Sequence, residues 1–139
     1  MELPTIDEHY KPSDDEPYMA PAQLAYFRRK LIDWKKSLHM EGAGTINTLQ
    51  NESITYPESV DNASAAIEQG FELRTRDRYR KLIRKIDDAL ERISQGEYGY
   101  CEITGEPIGI YRLEARPIAT MTVQVQEKHE RQERLLKGK

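Results

Sequence analysis

The sequence predicts a mostly α-helical protein: an antiparallel two-helix coiled-coil hairpin, a small degenerate zinc-finger-like globular base, and a C-terminal helix. Three observations carry this expectation. Two stretches place apolar residues at alternating spacings of 3 and 4. A polar stretch containing a proline separates them. After the second stripe comes a run punctuated by Gly99, Gly105, Pro107, Gly109 and Pro117.

Residues 1–20 form the first element. They hold six acids, one Lys and three prolines, which reads as an acidic segment, either a tail or an extended stretch on the surface. A helix is expected from Pro21, because proline is favoured in a first turn. Leu24, Phe27, Leu31, Trp34 and Leu38 make its stripe; beyond Leu38 the same register turns polar. The stretch from Asn47 to Ala66 interrupts the pattern. Pro57 disfavours helix at Tyr56, and Ser59 or Asp61 can cap a new helix. The hairpin is therefore placed at 21–95, with a tip loop at about 51–63. Its second stripe is Ile67 and Phe71, then Tyr79, Leu82, Ile86, Ala89 and Ile93, stopped by Gln95-Gly96. Residues 96–120 form the knuckle, whose expected packing residues are Tyr98, Tyr100, Ile103, Ile108, Ile110, Leu113 and Ile118, with room for two short strands. Residues 121–139 form the last helix, from about Met121 to Leu136. Its pairs Glu127–Arg131, Glu130–Arg134 and Glu133–Lys137 all put the acid first, the better orientation.

Composition limits the function. The chain has 139 residues, 32% of them charged, and a mean hydropathy of -0.80. That suits helices which each bury one narrow stripe. A net charge of -3 gives no global pull toward nucleic acid or membrane. The single cysteine excludes an intramolecular disulfide framework and fits a reducing compartment, so a soluble cytoplasmic protein is expected. Neither a nucleophile–base spacing nor a phosphate-cradling Gly loop is present, which argues against an enzyme.

The stretch "GYCEITGEPIG", Gly99–Gly109, looks like half of a zinc knuckle. A C-x-x-C turn puts two thiolates on one metal, but here Cys101 is followed three residues later by Thr104. His9, His39 and His129 match no standard ligand spacing with it.

The stretch "LRTRDRYRKLIRKIDDALERISQGEYGYCEITGEPIGIYRLEARPIA" resembles the DksA/TraR family of bacterial RNA polymerase-binding transcription factors. The string GYC-E-x-x-G-x-x-IGI-x-RLEARP is highly specific, and the likeness runs from about Tyr56 to the C-terminus, more loosely over the first helix. It implies a coiled coil inserted into the polymerase secondary channel, with an acidic tip near the active centre and no catalysis of its own. It implies action with the alarmone ppGpp in the stringent response, repressing ribosomal RNA promoters and activating amino-acid biosynthesis promoters. By resemblance the tip residues are Glu58, Asp61 and Ala63, the family usually having Asp where Glu58 stands. The protein's share of a ppGpp site is Arg78, Lys81, Leu82, Lys85 and Arg116. From Phe71 to Ile93 eight Lys/Arg stand against five acids, and Arg78, Lys81 and Lys85 fall on one helix face. Gln126 stands where the family often has a further Lys.

The family's four zinc-ligand positions fall at Cys101, Thr104, Thr122 and Val125, so three thiolates are absent and no zinc is expected. The chain resembles the family's metal-free branch. Partners are then RNA polymerase and ppGpp, with no direct DNA reading, no membrane, and a monomer whose hairpin buries both stripes. Two other readings stay open: a redox sensor built on Cys101, and a generic coiled-coil adaptor. Arg112 and Glu114 are expected to pack under the base as an internal ion pair.

Overall fold

No proline falls between Pro21 and Pro57, and the glycines in that interval each cost a helix only about 1 kcal/mol. The first helix therefore outlasts its apolar stripe. In the structure, a computed structural model, α1 spans Pro21–Thr55 and α2 spans Ser59–Gln95. Residues 2–55 and 59–137 are described, without the side chains of 43–55, 59–66, 68 and 69. Helix thus covers 51–55 and 59–63, where the sequence suggested a loop. Ser59 opens α2, so Asp61 lies within its first turn rather than before it. Glu58 lies outside the described residues, as do the side chains of Asp61 and Ala63.

α2 ends as its Gln95-Gly96 signal predicts. Gly96 takes φ 77°. Its N–H donates to the Ile93 carbonyl at 3.2 Å, and the Glu97 N–H to that of Arg92 at 2.9 Å, a Schellman closure. Two short helices follow, α3 at Ile110–Ala115 and α4 at Val123–Lys137. The sequence reading missed α3, although Ile110 and Leu113, its buried pair, are spaced by one turn between Gly109 and Pro117. In place of two strands, the knuckle has a single antiparallel bridge between Tyr100 and Pro107 among the described residues. Gly99, Gly105 and Gly109 all have positive φ, which breaks the extended backbone every few residues.

The chain divides into two compact units, Met1–Leu31 with Asp88–Lys139, and Ile32–Asp87. The core of the first holds Leu24, Phe27, Leu31, Ala89, Ile93, Tyr98, Ile110, Leu113 and Ile118, all buried. The Phe27 and Tyr98 rings meet at 5.8 Å, and the Tyr98 hydroxyl donates to the Pro117 carbonyl at 2.7 Å. Tyr100 and Ile103, expected in this core, are exposed. α4 buries no side chain.

In the second unit α1 and α2 run antiparallel. Lys35 pairs with Asp87 at 2.6 Å, and further along α1 Glu41 accepts a hydrogen bond from Tyr79, further back along α2. Leu38 and Ile86 are buried here. The second stripe does not stay buried along its length: Ile67 is 73% exposed and Phe71 64%.

Candidate functional site

The knuckle's backbone makes a tight fold around Cys101. The Cys101 N–H donates to the Glu106 carbonyl at 2.8 Å, the Gly105 N–H to the Cys101 carbonyl at 2.9 Å, and the Glu102 N–H to the Thr120 carbonyl at 2.9 Å. Cys101 itself is buried. Burial pushes its thiol up, but hydrogen bonds from the Thr104 hydroxyl and from the N–H groups of Thr104, Thr122 and Ile103 outweigh it. The result is a pKa lowered from 9.0 to about 7. Thr122 is buried, and its hydroxyl accepts the Val125 N–H at 3.3 Å, capping α4 in the manner of an N-cap threonine. The structure thus brings Cys101, Thr104, Thr122 and Val125 together as a hydrogen-bonded cluster.

Titration of this thiol is a direct check. The thiolate absorbance near 240 nm should rise with a midpoint at about 7, well under the ordinary 9.0. Thr104→Val, which removes a donor, should move the midpoint up; an unmoved midpoint contradicts the hydroxyl's role. The sign for stability follows. A depressed acid stabilises the fold fully above its unfolded pKa, and that contribution is lost as pH falls through about 7. Relative to Cys101→Ser, the wild type should therefore gain stability between pH 7 and 9.

The basic face lies in the second unit. Arg78, Lys81 and Lys85 are exposed on α2, with Leu82 half-buried beside them. Arg116 belongs to the first unit, where it is exposed and closes α3 by donating its N–H to the Arg112 carbonyl at 2.8 Å. Gln126 bonds to Glu130 at 3.0 Å, and Glu133 pairs with His129 at 3.1 Å. Two of the acids expected to pair forward along α4 are thus engaged one turn back. Glu114 does not pair with Arg112 as expected. Its carboxylate accepts from Tyr26 at 2.6 Å and from Lys30 at 2.9 Å, and Lys30 also reaches the Glu114 carbonyl at 2.8 Å. Burial raises the Glu114 pKa, but these bonds outweigh it and hold the carboxyl low. Burial and the bond to Glu114 push Tyr26 up to about 12. No sequence spacing could reveal partners more than 80 residues apart.

Compared with known proteins, residues 23–93 match the family described as DnaK suppressor protein DksA, N-terminal domain, and residues 96–131 the prokaryotic dksA/traR C4-type zinc finger. The chain is similar to the RNA polymerase-binding transcription factor DksA of Caulobacter vibrioides (strain NA1000 / CB15N), at 55% identity over 126 residues, covering 91% of this chain and 89% of that one. It is 42% identical over 131 residues to the protein of the same name in Escherichia coli (strain K12), covering 94% of this chain and 87% of that one. Among solved structures, transcription factor DksA2 from Pseudomonas aeruginosa matches with a TM-score of 0.79 and 38% identity, covering 84% of this chain and 90% of that one.

The zinc that the second family description carries does not fit the residues here. Only Cys101 offers a thiol, Val125 has no side-chain donor atom, and the Thr104 and Thr122 hydroxyls are already hydrogen-bonded to Cys101 and to the Val125 N–H. Among the described residues no three His, Cys, Asp or Glu side chains gather where a metal could bind. No helix among them is long and apolar enough to cross a membrane.

Proposed function

Since the chain belongs to the DksA/TraR family, we propose that it regulates transcription initiation by binding RNA polymerase in the cytoplasm, as a monomer without catalysis or DNA reading of its own. The observation that carries this is likeness over about nine-tenths of the chain to relatives named for RNA polymerase binding. The coil enters the polymerase secondary channel with Glu58, Asp61 and Ala63 at its tip. Arg78, Lys81, Leu82, Lys85 and Arg116 supply the protein's share of a ppGpp site against polymerase. Three exposed cations on one helix face suit a polyphosphate. In the stringent response the factor represses ribosomal RNA promoters and activates those for amino-acid biosynthesis. It works without zinc, because hydrogen bonding around Cys101 takes the place of coordination.

The test is multi-round transcription from a ribosomal RNA promoter with the cognate polymerase, with and without ppGpp, after metal chelation. Wild type should inhibit despite chelation, and Asp61→Asn should lose inhibition while still binding polymerase. Equal inhibition by both proteins would reduce the chain to a coiled-coil adaptor. A second reading, a thiol sensor, needs a lowered thiol pKa and an exposed sulfur; Cys101 has the first but is buried. Normal regulation by Cys101→Ser under oxidant would remove it.

A further inference from the structure

Hydrogen bonds around Cys101 hold the inside of the knuckle, and the acidic segment ahead of α1 reaches the ends of its loop. Tyr18 reaches across to the knuckle with its hydroxyl. It donates to the Gly99 carbonyl at 2.6 Å and accepts the Gly109 N–H at 2.9 Å. Gly99 and Gly109 are the two ends of the knuckle loop, whose arms are also joined by the Ile108 N–H donating to the Gly99 carbonyl and the Cys101 N–H to the Glu106 carbonyl, both at 2.8 Å. The Tyr18 ring also stands edge-on to Tyr100 at 5.5 Å. Next to it, Met19 is buried with φ 56°, a region L residues seldom occupy. Its side chain fills the space a Gly99 side chain would need: a Cβ there would meet the Met19 sulfur at 2.7 Å.

The segment is braced for this task. Gln23, fully buried at the start of α1, accepts the Met19 N–H at 2.9 Å and donates to the Ser13 carbonyl at 3.1 Å. The Tyr10 hydroxyl donates to the Glu16 carboxylate at 2.8 Å, which also accepts the Ser13 N–H at 3.1 Å. Residues 10–19 are therefore an ordered strap, braced within itself at Glu16 and held to α1 by Gln23 and by the Tyr10 ring edge-on to Tyr26 at 6.2 Å.

We infer that this strap is a conformational lock on the knuckle, with the Tyr18 hydroxyl clasping Gly99 to Gly109 and so closing from outside a loop that no metal holds. The inference rests on the zinc-free reading above. The phenol is suited to the role: burial raises its pKa, so it keeps the proton it donates to Gly99. Losing the hydroxyl leaves the Gly109 N–H without its acceptor, while the Gly99 carbonyl keeps Ile108.

The experiment is amide hydrogen exchange on the full chain, comparing wild type with Tyr18→Phe, and with Tyr100→Phe as a ring-contact control. Tyr18→Phe should speed exchange at the Ile108 and Gly109 amides by about tenfold or more. Tyr100→Phe should leave them within about twofold, because Tyr100 stacks on the clasp without bonding to either glycine. Unchanged rates in Tyr18→Phe would overturn the lock. So would an equal acceleration at the α1 amides of Leu24 to Leu31, which would make Tyr18 one packing residue among many. Chelator added to wild type addresses the other premise separately: a loss of protection on chelation would overturn the zinc-free reading, whatever Tyr18 does.

Discussion

Phe27→Ala should lower the unfolding free energy by about 3–5 kcal/mol, the cost of a cavity at a fully buried aromatic. Phe27 has no exposed surface and packs its ring against Tyr26 at 5.2 Å and Tyr98 at 5.8 Å. Truncation removes both ring contacts from a site ringed by other buried side chains, so little can collapse into the space. Phe71→Ala is the matched comparison. Phe71 occupies an equivalent place in the second stripe but is 64% exposed, so its truncation should stay within about 0.5 kcal/mol. Urea titration of the two variants decides the matter; equal costs would contradict the burial pattern described above.

Gly99→Ala should destabilise the fold by about 2–4 kcal/mol, from two sources. Gly99 has φ +93°, which any L side chain adopts only under strain, and its new Cβ would lie 2.7 Å from the Met19 sulfur and 3.2 Å from the Tyr18 oxygen. Gly105 separates the two terms. It has φ +76°, but a methyl group added there would meet nothing within 4 Å, so Gly105→Ala should show the backbone term alone, about 1–2 kcal/mol. Adding Met19→Ala to Gly99→Ala should recover part of the difference, a coupling that a double-mutant cycle reads directly. Equal losses at Gly99 and Gly105 would mean that Met19 yields freely.

The first helix shows what could be read from sequence. Leu24, Phe27, Leu31 and Leu38 are buried as their spacing predicts, because a stripe reports on its own helix. Ile67 and Phe71 have the same spacing and are exposed, because burial needs a partner row and spacing cannot see the partner. The end of α1 was hidden for a related reason: a helix can continue through polar residues when nothing breaks it, and periodicity detects only the apolar face. The cluster at Cys101 was partly legible, since the turn chemistry of C-x-x-T is local. Convergence of Thr122 and Val125 on it came only through the resemblance. The strap was half legible: its acids and prolines allowed either a tail or an extended stretch on the surface, and Tyr10, Tyr18 and Met19, whose contacts no spacing shows, make it the second. The Glu114 pairing was equally invisible, since Tyr26 and Lys30 lie on another helix.

The clasp and the Glu114 pairs also bear on how the chain reaches its native state. Tyr18 bonds to residues 81 and 91 positions away, and Tyr26 and Lys30 to one 88 and 84 positions away. Helical proteins usually fold fast because their contacts are local; these contacts have the long separations more typical of β-proteins. During synthesis the first thirty residues must wait until Gly109 and Glu114 have left the ribosome. The earliest-made segment is then among the last to find its place, with Phe27 and Leu31 exposed in the meantime, a window in which a nascent chain is vulnerable to aggregation.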